Sequence, residues 1–134
     1  MARILVVDDE EMERVLERTI LESAGHVLLF ASDGEAALKL CREEDPDVIV
    51  TDLAMPGFNG LRFIRELRES GLYMPLIAVS GWAKDQLDLA LEYGADITLE
   101  KPVEAETLLS SVVTAMHLPK LPDRMDPWRR VRRR

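Results

Sequence analysis

Four strand-like runs each end in residues able to do chemistry. Ile4-Leu5-Val6-Val7 runs into Asp8-Asp9-Glu10, and Val48-Ile49-Val50 into Thr51-Asp52. Leu76-Ile77-Ala78-Val79 runs into Ser80-Gly81, and the short run Asp96–Leu99 into Glu100-Lys101-Pro102. Gathered in one place, Asp8, Asp9 and Asp52 repel: two unit charges about 4 Å apart cost about 4 kcal/mol at an effective dielectric near 20. A fold keeps such a cluster only if something positive offsets it. Lys101 supplies one charge, and a hard divalent cation is the natural remainder. Few carboxylates with water completing the shell suit Mg²⁺. A carboxylate beside Mg²⁺ and an ammonium is set up as a nucleophile toward phosphorus, because metal and lysine neutralise the phosphoryl oxygens during in-line displacement. Asp52 is then a candidate for an aspartyl phosphate, and the Ser80 hydroxyl a donor to the new phosphoryl oxygen.

These residues converge only if the elements before them lie side by side. The hydrophobic period says that they do. Continuous apolar runs alternate with stretches of helical spacing five times. Met12, Val15, Leu16, Thr19 and Ile20 form one helical face, stopped by Gly25; the strand-like run His26–Ala31 follows. Asp33 caps a helix that carries Ala36, Ala37 and Leu40 inward. After Asp52, the turn-rich stretch Met55–Gly60 reads as a loop, and Leu61, Ile64 and Leu67 begin the next helix, stopped at Gly71. Leu87, Ala90 and Leu91 mark a helix ended by Gly94; Leu108, Leu109, Val112 and Met116 mark the last one, which stops near Pro119. Repeated βα units of this kind imply an α/β protein with a parallel sheet covered on both faces. Five units suit an open doubly wound sheet, since an eight-unit barrel needs about 250 residues. In such sheets the site lies beyond the carboxyl ends of the strands.

Composition narrows the function classes. The chain has 134 residues, 47% apolar and 31% charged, which fits one globular domain. One cysteine, Cys41, excludes an intramolecular disulfide and reads as a small packing residue. With only two histidines, His26 and His117, the chain lacks the soft ligands of a structural zinc site. No apolar run approaches a membrane span and no leader precedes Asp8, so a cytoplasmic protein with no membrane partner is expected. Net charge is −8, but residues 119–134 hold seven Lys/Arg against two Asp/Glu, leaving −13 on residues 1–118. Phosphate repels such a body, so nucleic acid is excluded as its partner except through the basic tail. The tail, residues 119–134 with three prolines and Trp128, is expected to be a poorly ordered, solvated terminus.

The motifs together resemble the receiver domain of bacterial two-component response regulators. The matching segments are Ile4–Glu10, Asp47–Gly57, Gly60, Ser80, Gly94-Ala95-Asp96 and Lys101-Pro102, each at the correct strand end, within residues 1 to about 117. The resemblance implies a five-stranded flavodoxin-like (βα)5 sheet in strand order 2-1-3-4-5, with a receiver domain over residues 1–118. It implies that Asp52 accepts a phosphoryl group from a sensor histidine kinase or a histidine phosphotransfer protein. Asp9, Asp52 and the backbone carbonyl of Ala54 would ligate Mg²⁺, with Asp8 acting largely through water. Lys101 would pair with the phosphoryl group, Ser80 would move toward it, and the Lys101–Pro102 peptide would be cis. Output would reach a downstream protein through the face of the fourth helix, fifth strand and fifth helix, which is also the family's route to a homodimer.

Two positions depart from the family's pattern. Thr98 stands where the family usually has Tyr or Phe, and Val103 where Phe is frequent. The usual aromatic coupling is therefore missing, and Trp82 is a large side chain at the mouth of the site. A switch that signals by binding, rather than a turnover enzyme, is the leading reading. A phosphorylation-independent docking module and a fragment of a larger regulator are the alternatives. A metal-dependent phosphatase resembling the haloacid dehalogenases would need an Asp two residues after Asp52, where this chain has Ala54.

Overall fold

The computed structural model describes residues 1–55, 58–81 and 84–118. Its core is a sheet of β1 (Arg3–Val7), β2 (Val27–Ala31), β3 (Val48–Asp52), β4 (Leu76–Ser80) and β5 (Ile97–Glu100). Every pairing in this sheet is parallel and the order is β2-β1-β3-β4-β5. Helices α1 (Glu11–Ser23), α2 (Gly34–Glu44), α3 (Gly60–Glu69), α4 (Lys84–Tyr93) and α5 (Ala105–Met116) follow the strands in turn. The expected doubly wound (βα)5 architecture is therefore present.

Alternation along the strands divides the core in two. Leu5, Val7, Ile49, Leu76 and Ala78 pack with Ala37, Cys41, Phe63, Ile64, Leu67, Leu87 and Ala90 from α2, α3 and α4. Ile4, Val6, Val48, Val50, Ile77 and Val79 pack with Leu21, Leu108, Val112 and Ala115 from α1 and α5. Both faces of β1, β3 and β4 are thus covered, which is why these strands read as unbroken apolar runs. Cys41 lies in the first of these clusters as a packing residue, and burial pushes its thiol up to about 12. Asp33 caps α2 as expected, accepting from the Ala36 N–H at 2.8 Å.

The structure refines three local readings. On α1, Met12, Val15 and Leu16 are exposed, while Glu13 and Glu17 are half-buried and Leu21 is fully buried. The first half of α1 flanks the acidic end of the sheet, so its inward side is carboxylate; only the second half meets apolar core. On α4, Leu87 and Ala90 face inward but Leu91 is exposed. Within the stretch read as a loop, Ala54–Met55 pairs antiparallel with Phe58–Asn59. That hairpin delivers Asn59 to the N-cap of α3, where its side chain accepts from Leu61 N–H at 3.0 Å and Arg62 N–H at 3.2 Å. Gly60 follows at a close crossing: a Cβ there would lie 2.5 Å from Leu53 Cα and 2.7 Å from the Asp52 carbonyl oxygen.

Arg68 on α3 is fully buried and staples the loops at the opposite end of the sheet. Its guanidinium donates to the carbonyls of Gly94, Leu72 and Met74 and pairs with Asp96 at 3.3 Å. Asp96 in turn accepts from the Leu76 N–H at 2.9 Å, so one side chain fixes the starts of β4 and β5. The 119–134 tail, including Trp128, lies outside the described residues, as does Trp82.

Candidate functional site

Parallel register brings the strand ends to one edge. Thr51 is level with Val7, Asp52 with Val79, and Ser80 with Glu100. Asp8, Asp52, Ser80 and Lys101 are thereby collected at the carboxyl end of the sheet, as the sequence indicates. Asp8, Asp52 and Ser80 are buried. The Lys101 ammonium makes an ion pair with Asp52, and the Lys101 backbone N–H donates to the Ser80 carbonyl at 2.9 Å. The Lys101–Pro102 peptide is cis, as expected.

Sequence reasoning missed Glu13. Its carboxylate accepts from Lys101 Nζ at 2.9 and 2.8 Å, and oxygens of Asp8, Glu13 and Asp52 all lie within 4.8 Å of one another. The signal was present as acidic residues at four-residue spacing, Glu13 and Glu17, on a helix that starts beside Asp8-Asp9. Reading the apolar stripe as the inward face hid it. Asp9 is half-buried next to Asp8 and stands outside that group of three oxygens. Ala54 sits two residues beyond Asp52 in the small hairpin. Thr98 is half-buried in β5, level with Ala78.

Electrostatics leave negative charge at this edge only partly offset. Asp8 is 1% exposed; its Oδ1 accepts from Glu10 N–H at 2.8 Å, but its Oδ2 has no hydrogen-bond partner among the described residues. Burial, reinforced by the Glu13 and Asp52 carboxylates, pushes the Asp8 carboxyl up to about 7. Burial also pushes Glu17, one turn further along α1, up to about 8. Burial pulls the Lys101 ammonium down, yet Asp52 and Glu13 outweigh it and raise its affinity for the proton. For Glu13 the same contest ends with a lowered carboxyl, because Lys101 overcomes the cost of burial. One ammonium faces three carboxylates, and a buried carboxylate oxygen is left unsatisfied. Such an all-oxygen set fits a hard divalent cation. A cavity of about 390 Å³ opens beside Lys101 between α1 and α5, lined in part by Glu13, Glu17, Ile20, Pro102 and Leu108.

The comparisons agree with this geometry. Residues 4–113 match the family model described as a response regulator receiver domain. The chain is 37% identical over 115 residues to protein PilH of Pseudomonas aeruginosa, covering 84% of this chain and 95% of PilH. It is 39% identical over 115 residues to the sensory/regulatory protein RpfC of Xanthomonas campestris pv. campestris, of which it spans only 16%. The solved receiver domain of Francisella response regulator 1452 superposes with a TM-score of 0.81 at 29% identity, covering 87% of this chain and 97% of that one. With the family model covering most of the chain and the sheet order and Asp52–Lys101 pair in accord with it, the chain is a receiver domain of the two-component response regulators.

Proposed function

We propose that this receiver is a phosphorylation switch in which Asp52 takes the phosphoryl group. The observation that carries the reading is the Asp52–Lys101 ion pair beside the buried, unsatisfied Asp8 oxygen. The donor is a phosphohistidine on a sensor kinase or a histidine phosphotransfer protein. An Asp52 carboxylate oxygen attacks phosphorus, the P–O bond forms, the P–N bond breaks, and the imidazole leaves with that electron pair. Lys101 neutralises the phosphoryl oxygens, and the Ser80 hydroxyl donates to one of them. Asp9, Asp52 and the Ala54 carbonyl are the residues that would hold Mg²⁺, with Asp8 acting largely through a water. When bound, the cation neutralises charge on the carboxylates and on the transferring group.

The chain works as a switch and not as a turnover enzyme. Its output is binding of a downstream protein in the cytoplasm. Thr98 supports a muted coupling at β5, because threonine lacks the aromatic bulk that the family usually places there. The test is labelling by a small-molecule phosphodonor in Mg²⁺: the parent chain takes up label and Asp52→Asn does not. Label retained in full by Asp52→Asn contradicts the assignment.

A further inference from the structure

Lys101 does not face Asp52 alone. An ammonium has three N–H donors, and here three carboxylate oxygens stand around it: both oxygens of Glu13, at 2.9 and 2.8 Å, and Asp52 Oδ2. A phosphoryl group on Asp52 needs the same ammonium. It finds the donors engaged, and it brings more negative charge toward Glu13. Asp52 carries the group and stays in place, so Glu13 is the acceptor that has to yield. Glu13 is 30% exposed in its side chain and borders the cavity between α1 and α5, so its carboxylate has room to turn away.

We propose that Glu13 is a latch on Lys101, a positioning residue that holds the ammonium in the unphosphorylated protein and must release it when Asp52 is phosphorylated. This inference rests on the phosphoacceptor reading of Asp52. It predicts that Glu13 restrains phosphorylation: removing its charge frees Lys101 for the incoming group. Both partners of the pair are partly exposed, so solvent screening limits the effect.

The experiment compares the parent chain with Glu13→Gln, Glu11→Gln and Asp52→Asn. Glu11→Gln makes the same change of charge at an exposed position in the first turn of α1. Two quantities are read in saturating Mg²⁺: the initial rate of labelling by phosphoramidate and the dissociation constant of beryllofluoride. Glu13→Gln is expected to label roughly three to five times faster and to bind beryllofluoride tighter by a similar factor, the upper range a screened ion pair supports. Glu11→Gln is expected to stay within about twofold of the parent on both. Should Gln disturb folding by thermal melt, Glu13→Met, of similar length and uncharged, carries the same expectation. A Glu13 variant that labels no faster, while Asp52→Asn stays blank, overturns the latch and leaves the phosphoacceptor reading standing. Equal acceleration by Glu11→Gln overturns it as well, because net charge would then be the cause. A parent chain without label, or an Asp52→Asn chain labelled like the parent, overturns the phosphoacceptor reading and the latch with it.

Discussion

Replacing Asp8 by Asn changes one buried charge and little else. The Asn carbonyl still accepts from the Glu10 N–H, and the amide nitrogen replaces an oxygen that has no hydrogen-bond partner among the described residues. In the metal-free parent, Asp8 holds its proton to about 7, while an unfolded aspartate loses it near 4. Between those values the native state binds more protons than the unfolded state, so stability falls as pH rises from about 4 to about 7. Two estimates set the size. A proton affinity raised this far corresponds to about 4 kcal/mol. A pair of carboxylates within 4.8 Å of each other costs at least about 3.5 kcal/mol at a dielectric near 20. Lys101 offsets part of this, so Asp8→Asn is expected to stabilise the metal-free protein by about 2–4 kcal/mol at pH 8 and by less than about 1 kcal/mol near pH 4. In a domain of this size that is a melting temperature about 10 °C higher at pH 8. Mg²⁺ at a hundredfold excess over Kd should add about 2.7 kcal/mol to the parent, and distinctly less to the variant. Circular-dichroism melts at both pH values, with chelator and with Mg²⁺, give all of these quantities. An Asp8→Asn chain no more stable than the parent at pH 8, or equally more stable at both pH values, refutes the reasoning.

Two further substitutions test the frame that positions the site. Arg68→Met should cost about 3–5 kcal/mol in urea unfolding, because it strands Asp96 and the carbonyls of Gly94, Leu72 and Met74 in the interior; a loss below about 1 kcal/mol would contradict the staple. Gly60→Ala drives a Cβ against Leu53 and the Asp52 carbonyl, so it should lower stability by more than about 2 kcal/mol and slow labelling of Asp52; unchanged melting and labelling would show that the crossing can relax.

The sheet was legible in the sequence because β1, β3 and β4 are buried on both faces, and such strands appear as unbroken apolar runs with no competing period. The polar residues that end them were legible for the same reason, and Asp8, Asp52, Ser80 and Lys101 fell where the parallel register carries them. Helix α1 misled because it carries two stripes, one apolar and one acidic, and local pattern favours the apolar one. Tertiary context reverses the choice: the Lys101 ammonium beside Asp8 and Asp52 draws the Glu13 carboxylate inward, where Met12 or Leu16 would find no apolar partner. Arg68 was missed because arginine on a helix usually reads as surface. Its burial depends on carbonyls of loops distant in sequence, which no local pattern reports.

The central claim is that Asp52 is the phosphoacceptor, and mass spectrometry of the intact chain after treatment with phosphoramidate and Mg²⁺ tests it most directly. The account predicts one phosphoryl group per chain, mapped to the peptide that contains Asp52, absent when Mg²⁺ is chelated and absent from Asp52→Asn. A phosphoryl group mapped elsewhere, or uptake indifferent to Asp52→Asn, would contradict it.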